Sequence, residues 1–502
     1  MQPAPGSETR SRRVVSGVVV VAAAALAGAM AGRHPFLIVG CAALLALGVA
    51  SLDWPELPTL AVILLLYTNA IGIAVTQHGL PLLAGLLFPA ALFVPLAYHL
   101  VARRRRFVIG PVVSWMLLFL AAQAFAALLS QDRAYSLAAV ATYLAEGLVF
   151  YLMIVNVVRS YQVLRLAVWT LLLAGGLLGA LALHQQVTGS FGNDYGGFAQ
   201  VSDASFKVGQ ETISGTAEQP RLAGSLGQQN HHAQVMLMLL PLGFFLAVRE
   251  RRRLLTLAAT ALTLLILVGV GLTFSRGAAV ALLLVLIIAA GLGYLRPRQI
   301  LLLVLGGVVL LQAFPELGLR LTSVTELAEL VNKADGGPGL EGADGSTQSR
   351  TTEMTAAARV FLDHPVIGVG PSMFRFYYDD YTDGRGLRTY DGERVAHNLY
   401  LELAANTGLL GLGSFLGAVG VTLVSLARVR RRCLDRRPEL ASMATAFLLA
   451  IVSYLATGLF LSPAYARYFW LIMALAWATC RLGADLPDEV DITTSDRRME
   501  PV

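Results

Sequence analysis

Charge is scarce in this chain. Asp, Glu, Lys and Arg together make up 14% of its 502 residues, against 56% hydrophobic ones, and the mean hydropathy is +0.65. A soluble domain of this length has no core large enough to hide so much apolar surface, so lipid must be the solvent for most of the chain. Cysteine is scarcer still. Cys41, Cys433 and Cys480 are all there are, and neither their number nor their spacing fits a disulfide framework or a zinc site. Also missing are the apolar-polar alternation that barrel strands require and any repeat of the solenoid or propeller kind.

What the sequence has is a series of roughly fourteen long apolar runs. They lie near residues 14–31, 35–51, 58–76, 80–101, 108–129, 137–158, 163–186, 230–248, 253–273, 276–295, 298–313, 409–428, 439–460 and 464–480. At a helical rise of about 1.5 Å per residue, such runs cross a hydrocarbon core of about 30 Å. Backbone groups in lipid must be satisfied within the segment, so the runs are predicted helices. The expected fold is all-α, a polytopic membrane protein with about 14 (12 to 14) transmembrane helices and a large, partly helical loop outside the membrane. The first run follows Arg10, Arg12 and Arg13 and reads either as a span or as a signal peptide. Both readings leave residues 32–34 outside.

The arginines set the orientation. With the N-terminus inside, the dense clusters at Arg103 to Arg106, Arg249 to Arg253, Arg296 and Arg298, and Arg428 to Arg437 all fall on the cytoplasmic side. The net charge of +6 is therefore a topology signal and lends no support to a nucleic-acid partner. The same alternation divides the chain into a tail over 1–13, helices over 14–186, an outer loop over 187–229, helices over 230–313, a large outer loop over 314–408, helices over 409–480 and a second inner tail over 481–502. The large loop opens on helix-like LTSVTELAELVNKA, passes through glycine-rich DGGPGLEGADGSTQS, and resumes with the helical pattern RTTEMTAAARVFLDH. GVGPSMF and the aromatic-acidic FRFYYDDYTDGRGLRTY follow, then RVAHNLYLELAANTGLLGL, where His397 and Asn398 open a predicted short helix ended by Thr407-Gly408.

His397 and Asn398, nine further residues, then Gly408 and Gly411 give H-N-x9-G-x-x-G. This resembles the signature of the O-antigen ligase and polysaccharide polymerase family, which shares the Wzy-C domain. Three other places resemble the family in the same order. SRTTEMTAAARVFLDHPVIGVGPSMF carries Arg350, His364-Pro365 and Gly368-Val369-Gly370; RLAGSLGQQNHHA carries Arg221, Gly224, Asn230 and Ala233; FSRGA carries Arg276. The resemblance covers roughly residues 220–430. It implies an enzyme of the bacterial inner membrane, with its site facing the periplasm, that takes a glycan from an undecaprenyl-pyrophosphate carrier. The acceptor is a hydroxyl of lipid A core, of a growing polysaccharide or of a protein, and neither a cofactor nor a metal ion is implied.

Such a transfer needs a cation for the departing diphosphate and a base for the incoming hydroxyl. Arginine suits the first role, because its planar fork binds phosphate oxygens in pairs and keeps its charge. Arg221, Arg276 and Arg350 are the candidates, against a plainer reading of interfacial anchoring or loop pairing. His397 suits the second, since imidazole with an ordinary pKa near 6.5 is available in its neutral form. The expected course is a single displacement with inversion. Asn398 either orients the imidazole, contacts sugar or caps a helix; Tyr400 lies one turn on. Asn230 and His232 are further candidates for substrate contact. His231 and His232 lack the spacing of a metal pair, and Asp379, Asp380 and Asp383 read as a solvated turn more readily than as cation ligands. The alternatives are a protein O-oligosaccharyltransferase or a transporter of lipid-linked glycans. A transporter predicts inverted repeats and charges at mid-membrane.

Overall fold

The structure, a computed structural model, describes residues 50–51, 54–81, 89–208, 217–295, 298, 345–383, 394–464 and 466–484. In chain order its elements are α1 (Leu57–Tyr67), α2 (Ala70–Thr76), α3 (Phe93–Ala102), α4 (Pro111–Leu129), α5 (Arg133–Val157), α6 (Tyr161–Thr188), β1 (Gln200–Val208), β2 (Ala217–Gly224), α7 (Gln229–Arg249), α8 (Arg253–Gly271), α9 (Arg276–Gly291), α10 (Gly345–Asp363), α11 (Phe374–Thr382), α12 (Leu399–Cys433), α13 (Pro438–Thr457) and α14 (Ala466–Ala484). Among the described residues the only sheet is the antiparallel pair β1–β2, which lies within residues 187–229, a loop that the sequence reading left without strands.

Among the described residues seven helices, α4 to α8, α12 and α13, are long and apolar enough to cross a membrane. An eighth span counts if α1 and α2 are taken together across their bend of 58°. The run read as one helix over 58–76 breaks because Asn69 takes a left-handed backbone, φ 59°, a conformation its short polar side chain tolerates. The runs near 276–295 and 464–480 appear as α9, which is shorter, and α14. Those near 14–31 and 298–313, and the helical pattern before the glycine-rich spacer, lie outside the described residues, as does nearly all of 35–51. This is a multi-pass membrane protein, and its lipid-facing side chains are what such a protein needs: Leu117, Leu118 and Phe125 on α4, Leu257 and Leu264 on α8, Leu283 and Ile287 on α9, all exposed.

Local signals fix several helix ends. Pro111 begins α4 where a missing N–H costs nothing, Asp132 accepts from Tyr135 N–H to start α5, and Ser160 accepts from Val163 N–H to start α6. Water no longer drives helix against helix inside a bilayer, so close van der Waals packing must hold the bundle together. At the crossing of α6 and α8 a Cβ on Gly179 would collide with the Leu265 carbonyl, and only glycine permits so near an approach. Helix α14 runs through the centre with Tyr468, Phe469 and Trp470 buried. Phe415 of α12 meets Phe469 and Trp470 at centroid distances of 5.6 and 6.2 Å.

The bundle has two distinct polar ends. At one, arginines tie helix termini together: Arg165 pairs with Glu250, Arg249 Nε donates to Ser442 Oγ at 2.6 Å, and Arg481 donates to the carbonyls of Val155 and Val158 at 3.1 and 2.6 Å. At the other lie the β-hairpin, the starts of α7, α9 and α12, and the loop helices α10 and α11. Here the segment 364–370 is laid across α12. Val369 and Gly370 N–H donate to Ala405 and Asn406 carbonyls at 3.0 and 2.9 Å, and Leu409 N–H donates to Pro365 O at 2.8 Å. Gly408 sits in that crossing with φ 60° and ψ −164°, so the helix expected to stop there instead kinks and continues to Cys433. A Cβ at Gly408 would strike the Val366 carbonyl, and one at Gly368 would strike the backbone of Asn406 and Thr407.

Candidate active site

Arg221 is the residue around which the hairpin end is organised. It lies on β2, paired with Ser202, and is 6% exposed. Its Nε donates to Thr273 O at 3.1 Å, and one terminal nitrogen reaches Asn230 Oδ1 at 3.2 Å. Thr273 and Phe274 form the turn that joins α8 to α9, with Phe274 left-handed at φ 51°. The turn presents Arg276 as the first residue of α9. A guanidinium and the start of a helix thus share one place, and both favour an anion.

These parts line one narrow cleft: Arg221, Asn230, Ser275, Arg276, Gly277, Arg350, Phe460 and Leu461. All three arginines of the sequence expectation and Asn230 therefore meet, although they come from β2, α7, α9 and α10. The cleft is dominated by cations, and a polyanion such as a diphosphate matches it chemically.

His397 stands next to this cleft. Leu461 lines it, and Ser462 Oγ accepts from His397 N–H at 3.0 Å. The Ser462 carbonyl in turn meets His231 Nε2 at 3.3 Å, one residue beyond Asn230. His397 itself is left-handed, φ 47°, a strained conformation of order 1–3 kcal/mol that persists only where surroundings over-determine it. They do so here. Ser462 holds its N–H, and Glu402, 7% exposed, accepts from Ala396 N–H at 2.6 Å and from Ser462 Oγ at 3.1 Å.

The imidazole faces a carboxylate. Glu353 Oε2 is 3.6 Å from His397 Nε2, and Arg394 lies 3.5 Å from the other oxygen. Glu353 is 1% exposed and sits one turn after Arg350 on α10. A carboxylate at that range favours the imidazolium. Burial, followed by the charges of Arg350, His231 and Arg394, works the other way and pushes the His397 pKa down to about 4. The ring is therefore neutral at neutral pH. Its Nδ1 is buried and accepts no hydrogen bond from the described residues.

The other expected residues fall elsewhere. His232 is buried with its ring under Gly224, where a Cβ would collide with it, and it does not line the cleft. Asn398 caps α12: its Oδ1 accepts from Tyr400 and Leu401 N–H, both at 3.0 Å, while its Nδ2 donates to Leu459 O at 3.1 Å. Tyr400 OH donates to Leu455 O at 2.9 Å, which ties α12 to α13. Among the described residues no three His, Cys, Asp or Glu side chains gather as metal ligands. Glu353, Glu402 and Ser462 are the neighbours of His397 that sequence reading missed. Glu353 carried a signal, its i, i+3 spacing from Arg350. Glu402 carried another, an acid inside an otherwise apolar run. Ser462 carried none.

No curated protein matches the chain. Residues 260–416 match the family model described as O-antigen ligase, a stretch that takes in Arg276, Arg350, Glu353, His397 and Glu402 and begins after Arg221 and Asn230. The residues outside that stretch reach the same cleft through the hairpin and the start of α7, and the chain carries an O-antigen ligase family domain over residues 260–416.

Proposed function

We propose that this membrane glycosyltransferase, of the O-antigen ligase or polymerase type, moves a glycan from an undecaprenyl-pyrophosphate carrier to an acceptor hydroxyl in a single inverting displacement. The observation that carries the reading is the convergence of Arg221, Arg276 and Arg350 on one cleft beside a half-buried, neutral imidazole. In this reading the guanidinium groups and the start of α9 hold the diphosphate. The acceptor oxygen attacks the anomeric carbon as its proton passes to His397, and the bond from that carbon to the diphosphate oxygen breaks. The negative charge left on the carrier is matched by the arginines, which need no reorganisation at that moment. Glu353 steadies the imidazolium that forms.

The arrangement also suits a donor anchored in lipid. The cleft lies at one end of the bundle, where the lining residues Arg221, Asn230 and Arg276 stand at or beside the ends of apolar helices. The dense arginine clusters are at the other end, which by the positive-inside rule supports a cleft facing the periplasm from an inner membrane. The acceptor then arrives from the aqueous side, as a glycan, lipid A core or protein hydroxyl.

The test is transfer by purified protein in liposomes supplied with an undecaprenyl-pyrophosphate glycan and candidate acceptors. His397→Ala is expected to lower turnover on the order of 10²- to 10⁴-fold, the usual yield of general-base catalysis. Turnover equal to wild type in that variant would end the mechanism. Product length separates a polymerase from a ligase.

A further inference from the structure

The arginine end of the bundle holds a second cavity, larger than the cleft and remote from it. Its volume is about 440 Å³, and its wall includes Tyr98, Arg103, Arg105, Arg159, Ser160 and Arg481. That volume is within the range of small-molecule sites, about 300–1,000 Å³. From this cavity we propose that the protein binds the phosphate-bearing headgroup of an anionic phospholipid in the leaflet at its arginine end. The claim is independent of the transfer chemistry at the other end.

Three observations support it. First, the cations come from three places far apart in sequence: the loop after α3, the α5–α6 loop and the end of α14. A topology signal needs only that arginines stand in the loops; it does not require them to meet around one space.

Second, three of these guanidinium groups, those of Arg103, Arg159 and Arg481, are fixed before any ligand arrives. Arg159 donates from Nε to Asn156 O at 2.7 Å and from a terminal nitrogen to Asn156 Oδ1 at 2.6 Å. Arg481 is braced on two backbone carbonyls, and Arg103 is held by the Tyr98 hydroxyl at 2.8 Å. Burial and the nearby Arg105 charge push the Arg159 pKa below its ordinary value, a like-charge crowding that an anion relieves. Glu56 also lines the cavity, yet the wall keeps an excess of positive charge. The second half of α3, Tyr98–Ala102, is a π-helical turn, a distortion found often at functional positions.

Third, the flanks are apolar and exposed. Phe93 and Val94 on α3, Val101 at 76%, and Phe107 and Ile109 in the following loop all present themselves outward. A soluble phosphate has no use for such flanks. A phospholipid does, since its chains lie against them while its headgroup enters the basic cavity.

The experiment uses the full-length protein in zwitterionic detergent, melted with increasing dihexanoyl-phosphatidylglycerol, dihexanoyl-phosphatidylcholine or sodium phosphate. The expected result is a rise in Tm with phosphatidylglycerol alone. Its half-saturating concentration should increase on the order of tenfold or more in Arg103→Gln/Arg105→Gln. Both residues are exposed, so the variant keeps its fold, and Arg105→Gln alone serves if the Arg103–Tyr98 contact proves necessary for it. Arg428→Gln/Arg431→Gln removes the same charge at the same end, away from the cavity, and should stay within about twofold of wild type. Equal shifts with phosphatidylcholine, or an equal loss in the Arg428/Arg431 pair, would overturn the site. A matching shift with sodium phosphate would overturn the lipid assignment.

Discussion

The two ends of the bundle use the same residue type in opposite ways. At one end arginines are many and mostly exposed, and they brace carbonyls, hydroxyls and rings; Arg430, for example, donates to Tyr294 OH at 3.1 Å and lies over that ring. At the other end a few arginines, one of them only 6% exposed, meet beside a histidine and two buried carboxylates. Density of charge marks the side of the membrane, whereas convergence from distant elements, together with burial and a proton acceptor, marks chemistry. The basic cavity at the arginine end has the convergence without an imidazole–carboxylate pair in contact, and binding is the role that remains for it.

The largest expected effects test that contrast directly. Arg276→Gln should cut turnover by about 10²- to 10³-fold in the liposome assay, as loss of a preorganised charge-stabilising group does. Arg276→Lys should restore only part of it, because an ammonium cannot form the bidentate fork. Arg428→Gln/Arg431→Gln should leave turnover within a few fold. Comparable losses at both ends would dissolve the distinction.

A second measurement sharpens it through pH. The lowered His397 pKa means the base form persists as pH falls, so the acid limb of kcat/KM should lie near 4 instead of near the ordinary histidine value. Glu353→Gln removes a carboxylate that favours the imidazolium, so it should move the limb to still lower pH while reducing turnover by about tenfold or more. A limb that stays in place in this variant would reduce Glu353 to a structural partner of Arg394.

Much of this site was legible because phosphate chemistry leaves few residue types to choose from. Arg221, Arg276 and Arg350 stood out as cations in short motifs beside apolar runs, and His397 as an ionisable group where a polar stretch meets a span. Periodicity and run length gave the helices their existence; they gave no sign of the bend at Asn69, set by its left-handed backbone, and they marked Gly408 as a stop where the segment packed across it makes a kink. Ser462 escaped because its importance is a contact with Glu402 across some sixty residues, 3.1 Å long, and composition does not record contacts; Glu402 was marked only as an acid in an apolar run, without its partner. The β-hairpin escaped for a related reason: its pairing of Ser202 with Arg221 lies in a polar stretch with no alternation to announce it.

A smaller effect is expected at Gly408, on stability alone. Alanine there must keep φ 60° with ψ −164° and place its Cβ against the Val366 carbonyl, a strain of about 1–3 kcal/mol or more. Thermal melting in detergent should show the loss, and the protein that remains folded should keep much of its turnover. A wild-type Tm would mean that segment 364–370 does not clamp α12.

The smallest expected effect separates capping from catalysis one residue past the histidine. The Asn398 side chain satisfies two N–H groups at the start of α12 and one carbonyl just past the end of α13, which uses three of the four hydrogen bonds its amide can make without a substrate. Asn398→Ala should therefore cost about 1 kcal/mol of stability, the typical value of an N-cap, and reduce turnover per folded molecule by no more than a few fold. Asp or Ser at 398 should recover most of that stability, since each offers an oxygen to the same N–H groups. Should Asn398→Ala instead match the loss at His397 while melting at the wild-type temperature, the side chain touches sugar or ring, and the line between the frame of the site and its chemistry has to be redrawn one residue further along the chain.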